Sequence, residues 1–179
     1  MTVRLAVPAD ARRLADVAAA TFPLACPPSV TAEAIADHVA SRLSEAVFAG
    51  QLADPGHVLL VAETDDDPSG AFPGYAMLVA GEPSDPDVAG ALRFRPTCEL
   101  SKLYVTRDQH GTGTARTLMS RALDEARALG SAGIWLGTNE ANARALRFYE
   151  KSGFEVVGRR RFRVGDTWAQ DYVLESSLA

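Results

Sequence analysis

A strand, a turn with two glycines and an amphipathic helix follow one another between residues 98 and 130, and this order constrains the fold more than any other stretch of the chain. The strand is Cys98-Glu99-Leu100-Ser101-Lys102-Leu103-Tyr104-Val105, apolar enough on both faces for an interior position apart from Glu99 and Lys102. The turn is His110-Gly111-Thr112-Gly113-Thr114-Ala115-Arg116. In the helix, Ala115, Leu118, Met119, Ala122, Leu123, Ala126 and Leu129 recur at three- and four-residue spacing, and Gly130 fits the position just past its end. A helix start leaves backbone N–H groups unpaired and carries about half a positive charge, so glycines ahead of it let an anion approach the main chain. Residues 110–116 thus qualify as a pyrophosphate-binding turn. A tight strand-to-helix turn also uses glycine for positive φ with no ligand at all.

Two nucleotide motifs fail on the same residues. A Rossmann fingerprint needs a glycine or small residue where Arg116 stands, and a Walker loop needs a Gly-Lys-Ser/Thr triplet that the sequence lacks. No Gly-x-Ser-x-Gly elbow occurs, and His38 and His57 have no serine or cysteine partner at catalytic spacing, which removes hydrolase readings. Cys26 and Cys98 stand far apart with no further ligand at metal spacing, so neither a zinc site nor a redox motif is expected.

Downstream, Ile134-Trp135-Leu136-Gly137-Thr138 reads as a short strand, and residues 142–154 as a helix closed by Gly153. With both segments in view the chain resembles the Gcn5-related N-acetyltransferases (GNAT). Their acetyl-CoA motif is Gln/Arg-x-x-Gly-x-Gly/Ala, followed by Asn-x-x-Ala-x-x-Phe-Tyr-x-Lys-x-Gly-Phe. The first half appears as His110-x-x-Gly113-x-Ala115, with histidine at the opening position; the second appears without a gap as Asn142, Ala145, Phe148, Tyr149, Lys151, Gly153 and Phe154. Residues 134–137, Gly165-Asp166 and Gln170-Asp171 look further like the bacterial PaiA-type polyamine acetyltransferases. The similarity covers the C-terminal half, and the N-terminal half matches in layout only.

The resemblance implies one mixed α/β (α+β) domain over residues 1–179 with the GNAT fold, a central, splayed, mostly antiparallel sheet flanked by helices. It implies direct acetyl transfer from acetyl-CoA to a primary amine, with a polyamine such as spermidine as first acceptor. Another small amine, an amino-acid amine or a protein N-terminus stays open. Deprotonating an alkyl amine of pKa about 10.4 costs about 4.6 kcal/mol at pH 7, so some group must take the proton. Glu99 stands where members often carry a glutamate that acts as base directly or through water; a structural pairing with Lys102 is its alternative. Tyr149, two helical turns after Asn142 on one face, would donate to the departing sulfur, or else be a core aromatic like Phe148. Leu103, Tyr104 and Val105 would offer a strand edge to pantetheine, with an N–H near Leu103 facing the thioester oxygen. His110, Gly111, Thr112, Gly113, Thr114, Ala115 and Arg116, with Asn142 and Tyr149, complete the expected coenzyme contacts. No metal is implied, and a homodimer is expected by analogy. A non-catalytic acyl-CoA-binding or sensory domain is the rival from another class.

A chain of 179 residues, 47% hydrophobic and 23% charged, suffices for one core, and a net charge of −5 argues against nucleic-acid or anionic-membrane partners. No apolar block of signal-peptide length precedes Pro8 and no stretch is long enough to span a bilayer, so a cytoplasmic location is expected. Residues 2–7 read as a strand, and residues 8–10 open a helix to about residue 20 that Pro23, Pro27 and Pro28 break. Residues 31 to about 52 are helical in pattern, bent near Ser41. Strands at 58–62 and 75–79 flank an acidic connection at 65–70, and the proline-rich stretch 81–96 reads as a loop. Residues 155–164 form a strand leading to a Gly165-Asp166 turn, and a last strand runs from 168 to about 174. The arginines at 159–163 suggest a solvated edge, or one arginine near an acidic substrate group.

Overall fold

In the computed structural model, which describes residues 1–64, 70–164 and 167–179, the strands form one sheet in the order β1-β2-β3-β4-β5-β7-β6. They are β1 (Thr2–Leu5), β2 (His57–Glu63), β3 (Gly74–Ala80), β4 (Thr97–Val105), β5 (Gly133–Asn139), β6 (Glu155–Val164) and β7 (Thr167–Ser177). The acidic connection at 65–69 and the turn at 165–166 lie outside the described residues. Every neighbouring pair is antiparallel except β4 and β5. That parallel pair holds only at Thr97↔Gly133, Cys98↔Ile134 and Glu99↔Trp135, after which the strands part. The splayed, mostly antiparallel sheet of the sequence reading is therefore present.

A bulge in β4 decides which side chains meet. Met77 lies opposite Lys102 and Leu78 opposite Leu100, so Ser101 is an extra residue with no partner on β3. Alternation changes phase there. Cys98 and Leu100 pack on one face of the sheet before the bulge, and Leu103 and Val105 take over that face after it. Glu99, Lys102 and Tyr104 thereby share the opposite face.

Among the described residues six α-helices cover the sheet: α1 (Ala11–Ala25), α2 (Ala32–Arg42), α3 (Glu45–Ala53), α4 (Pro86–Ala91), α5 (Thr114–Ala128) and α6 (Ala143–Lys151). The apolar stripe of α5, with Leu118, Met119, Ala122 and Ala126, packs on Leu60, Leu78, Ile134 and Leu136. On the other face Leu14, Val17, Ala18 and Phe22 of α1 and Phe48 of α3 cover Leu59, Val61, Tyr75 and Met77. Each buried Leu, Val or Phe contributes about 1.5–3 kcal/mol, so the two layers hold the sheet from both sides. The glycine stops are where the sequence puts them. Past α5, Gly130 takes φ 77° and Ser131 N–H reaches Ala126 O at 3.2 Å; past α6, Gly153 takes φ 90° and Phe154 N–H reaches Tyr149 O at 3.0 Å.

Three expectations need correction. Helix α1 continues through Pro23 to Ala25. The ring removes the donor that would reach Ala19, and Ala19 faces solvent, where its carbonyl can be hydrated. The helical stretch after residue 31 is two helices, because Leu43 leaves the helical conformation and Ser44 caps α3 by accepting from Val47 N–H. The stretch at 81–96 contains α4, started by Asp85 as cap and Pro86 at its first position.

Candidate active site

Where β4 and β5 part, a cleft of about 860 Å³ opens, walled by the start of α5, the end of β4, α6 and the end of α1. Gly111 and Gly113 have φ 86° and 97°, a region that excludes most L residues, and Gly113 caps α5. A Cβ at either glycine would meet nothing within 4 Å, so the main chain faces open space. Thr117 N–H closes the first helical bond on Gly113 O at 3.0 Å, which leaves Ala115 and Arg116 N–H ahead of the ladder. Gly111, Gly113, Ala115 and Arg116 line the cleft. Thr112 and Thr114 do not. Their hydroxyls lie 2.8 Å apart, and the Thr114 hydroxyl also donates to Gln109 Oε1 at 3.1 Å, so these side chains brace the turn from behind. Only their main chain is available to an anion.

His110 lines the cleft with both ring nitrogens 2.8 Å from the guanidinium of Arg144. A neutral imidazole has one acceptor nitrogen, so only one of these contacts is a hydrogen bond. Burial, then Arg144, lower the His110 pKa and keep the ring neutral at pH 7. Arg144 adds a cation to this cleft beside Arg116 and Lys151, and no local pattern in the sequence marks it. Asn142 lines the cleft while its Oδ1 accepts from Ala145 N–H at 3.1 Å, so it also caps α6. Tyr149 is half-buried between Phe148 and Phe154, with ring centroids 5.4 and 5.9 Å away, yet it borders the cleft. The core reading and the cleft reading of Tyr149 hold together. Burial raises its pKa well above the ordinary phenol value, so it stays protonated.

Leu103, Tyr104 and Val105 border the cleft beyond the point where β5 departs. The Tyr104 ring turns to the other face and stacks on Tyr75 at 5.8 Å, and burial pushes its pKa up to about 12. On that face lies a second cavity of about 800 Å³, lined by Glu99, Lys102 and Tyr104 with Phe22, His38, Arg42, Gln51 and Arg160 among others. Ser101 and Tyr104 line both cavities, so the two meet at the bulge.

Glu99 lines the second cavity, two residues before Ser101. Its Oε1 is 3.6 Å from Nη1 of Arg160, whose Nε is 3.6 Å from Asp171 Oδ2. The guanidinium lies over the Trp135 ring, 5.3 Å from its centroid. Gly137 makes this possible, because any side chain there would run into the guanidinium. The cation paired with Glu99 is thus Arg160 of the arginine-rich strand. Burial raises the Glu99 pKa, with Arg160 and Lys102 opposing it; burial lowers the Lys102 pKa and raises that of Asp171. His38 stacks on Phe22 at 4.4 Å, and burial with Arg42 and Lys102 nearby lowers its pKa. Among the described residues no group of three or more His, Cys, Asp or Glu is placed to hold a metal ion, and no helix is long and apolar enough to cross a membrane.

Known proteins share both sequence and fold with this chain. An uncharacterized N-acetyltransferase of Mycobacterium tuberculosis is 47% identical over 169 residues, covering 94% of this chain and 98% of that one. The crystal structure of the PaiA N-acetyltransferase of Thermoplasma acidophilum in complex with coenzyme A superposes with a TM-score of 0.75 at 18% identity, over 99% of each chain. The putative acetyltransferase YncA of Salmonella typhimurium, solved with acetyl-CoA, gives 0.69 at 24% identity, over 100% of this chain and 94% of that one. The model of the acetyltransferase (GNAT) family matches residues 24–154, and the chain belongs to that family.

Proposed function

We propose that this chain transfers the acetyl group of acetyl-CoA to a primary amine by direct attack in a ternary complex, with residues 1–179 acting as one domain. The junction at the β4 bulge carries this reading: a cleft that starts at the glycine turn meets a second cavity that holds the half-buried carboxylate of Glu99. The coenzyme diphosphate lies against main-chain N–H groups of residues 111–116, with Arg144 beside it as a countercharge. Pantetheine pairs with the main chain of Leu103, Tyr104 and Val105, along the edge that β5 leaves free, while Asn142 and Tyr149 border its tail. An N–H near Leu103 faces the thioester oxygen.

In the reaction the amine nitrogen bonds to the thioester carbon and the carbon–sulfur bond breaks. One amine proton passes to Glu99, directly or through water, and Tyr149 donates to the departing thiolate. A raised Glu99 pKa favours this, since each unit recovers about 1.4 kcal/mol of the cost of taking a proton from an ammonium. A phenol held protonated suits the acid role. Spermidine is the first polyamine to assay, on the likeness of residues 134–137 and 170–171 to PaiA-type enzymes. A homodimer and a cytoplasmic setting belong to the same reading by family analogy.

Free-thiol release from acetyl-CoA with a panel of amines tests the proposal. Tyr149→Phe should still bind acetyl-CoA while turnover falls about 10²-fold, the size expected for losing a positioned acid. Coenzyme binding with no thiol release on any amine would instead mark a sensory domain.

A further inference from the structure

The second cavity is lined by both signs of charge. Glu99, with its partner Arg160, lines it just before the junction residue Ser101, and Lys102, just after Ser101, is grouped with Arg42 and His38 of α2. Lys102 is half-buried and has no ion pair within 4 Å among the described residues. Burial lowers its pKa, and the one carboxylate that opposes this, Glu99, is itself engaged by Arg160. The other carboxylate on the wall is Asp37, exposed at the rim. A second polar group is also unmatched: Gln51 Oε1 is buried and finds no donor among the described residues. A buried acceptor without a donor is uncommon, and one that borders a cavity is placed to receive a donor from a ligand.

These two groups call for a ligand with a donor and an anion a short distance apart. The bulge makes Glu99 and Lys102 neighbours on one strand face, about 6–7 Å apart by the rise of a strand. We propose that the acceptor is a small zwitterionic amine, with a carboxylate next to its amino group as in an α-amino acid, and that Lys102, assisted by Arg42, holds this carboxylate. The inference rests on the acetyl-transfer reading above. The ammonium end meets Glu99 and Gln51 Oε1, which places the nitrogen at the junction where the thioester arrives. A polyamine would bring several cations to Lys102 and Arg42, and besides Glu99 the exposed Asp37 is the only carboxylate among the described residues lining the cavity.

Steady-state thiol release with each of a series of α-amino acids, its carboxamide and spermidine tests this. The best amino acid should exceed its carboxamide in kcat/KM by about 10- to 100-fold, the range for a hydrogen-bonded charge. Lys102→Gln should collapse that ratio toward one through KM for the amino acid, Lys102→Arg should retain most of it, and Arg42→Gln, at an exposed site, should reduce it in part. Carboxamides or spermidine used as well as the amino acids, or a ratio unchanged in Lys102→Gln, would overturn the assignment while leaving acetyl transfer intact. Calorimetric titration of the amino acid into the coenzyme A complex separates the two ideas. Binding that is lost in Lys102→Gln, with no thiol release in the parent, would support the carboxylate site and overturn the transfer reading.

Discussion

Replacing Arg160 with methionine should move the acid limb of the pH–rate profile upward. The guanidinium sits 3.6 Å from Glu99 Oε1, and both side chains are mostly shielded, with 19% and 23% of their surface exposed. At that distance two unit charges interact by about 4.6 kcal/mol at an effective dielectric constant of 20 and about 1.2 kcal/mol at 80. Divided by about 1.4 kcal/mol per unit, this gives a rise of about one to three units in the Glu99 pKa. Asp171 shares the same guanidinium, which favours the lower half of that range. The sign follows from the role. A carboxyl that stays protonated to higher pH cannot accept the amine proton there, so activity on the acid side disappears first. The matching stability effect has the same origin: a carboxyl raised in the folded state stabilises the fold below its unfolded pKa and loses that contribution as pH rises through the folded value. The assay is kcat across about pH 5 to 9 with one amine throughout, so that the amine's own ionisation is common to both proteins. Gly137→Ala offers an independent route, since its Cβ would force the guanidinium away without changing any charge, and it should shift the limb in the same direction. A limb that stays put in folded Arg160→Met and Gly137→Ala would show that Glu99 is not the group whose ionisation controls the rate.

Two glycines with equal space around them should respond oppositely to alanine. Neither Gly113 nor Gly50 has an atom within 4 Å of a built Cβ, but Gly113 is left-handed at φ 97° while Gly50 lies inside α3. Gly113→Ala should cost about 1–2 kcal/mol and weaken acetyl-CoA binding by titration, whereas Gly50→Ala should gain about 0.5–1 kcal/mol in denaturant unfolding with no change in binding. Glu175 has no exposed surface and accepts from Arg93 N–H at 2.9 Å, Phe94 N–H at 3.0 Å and Arg93 Nε at 3.1 Å, tying the stretch before β4 to β7. Glu175→Gln turns an amide donor toward donors, so the melting temperature should drop by several degrees, for a loss of about 3 kcal/mol, with KM for acetyl-CoA unaffected.

Local signals were legible and long-range ones were not. The ends of α5 and α6 were readable because a glycine at φ 77° or 90° answers a requirement set within one helical turn. The turn at residues 110–116 was readable for the same reason. Arg144 escaped notice because its partner His110 lies 34 residues away, and Arg160 because its partner Glu99 stands on a strand that is not its neighbour in the sheet. The arginine-rich strand suggests a solvated edge or one arginine near an acidic substrate group, whereas Arg160 meets carboxylates of the chain itself, which periodicity could not select. Pro23 misled in the other direction: a missing donor matters little when the carbonyl it leaves behind is at the surface.

The bulge at Ser101 shows why even a well-read strand can hide its chemistry. Strict alternation along β4 would put Glu99, Ser101 and Leu103 on one face and Lys102 and Tyr104 on the other. The extra residue arises from the register with β3, a pairing between segments far apart in sequence, and nothing in the local pattern of β4 announces it. Its effect is to bring Glu99 and Lys102 onto one face while Leu103 and Val105 turn into the core on the other, bordering the first cleft. A carboxylate and a cation then share one cavity, and the main chain beside them is the edge from which β5 has already parted. Without the bulge those two groups would lie on opposite sides of the sheet, and the acceptor proposed above could not meet both. The departure from regular pairing is therefore what puts both groups in the cavity that meets the first cleft at Ser101 and Tyr104.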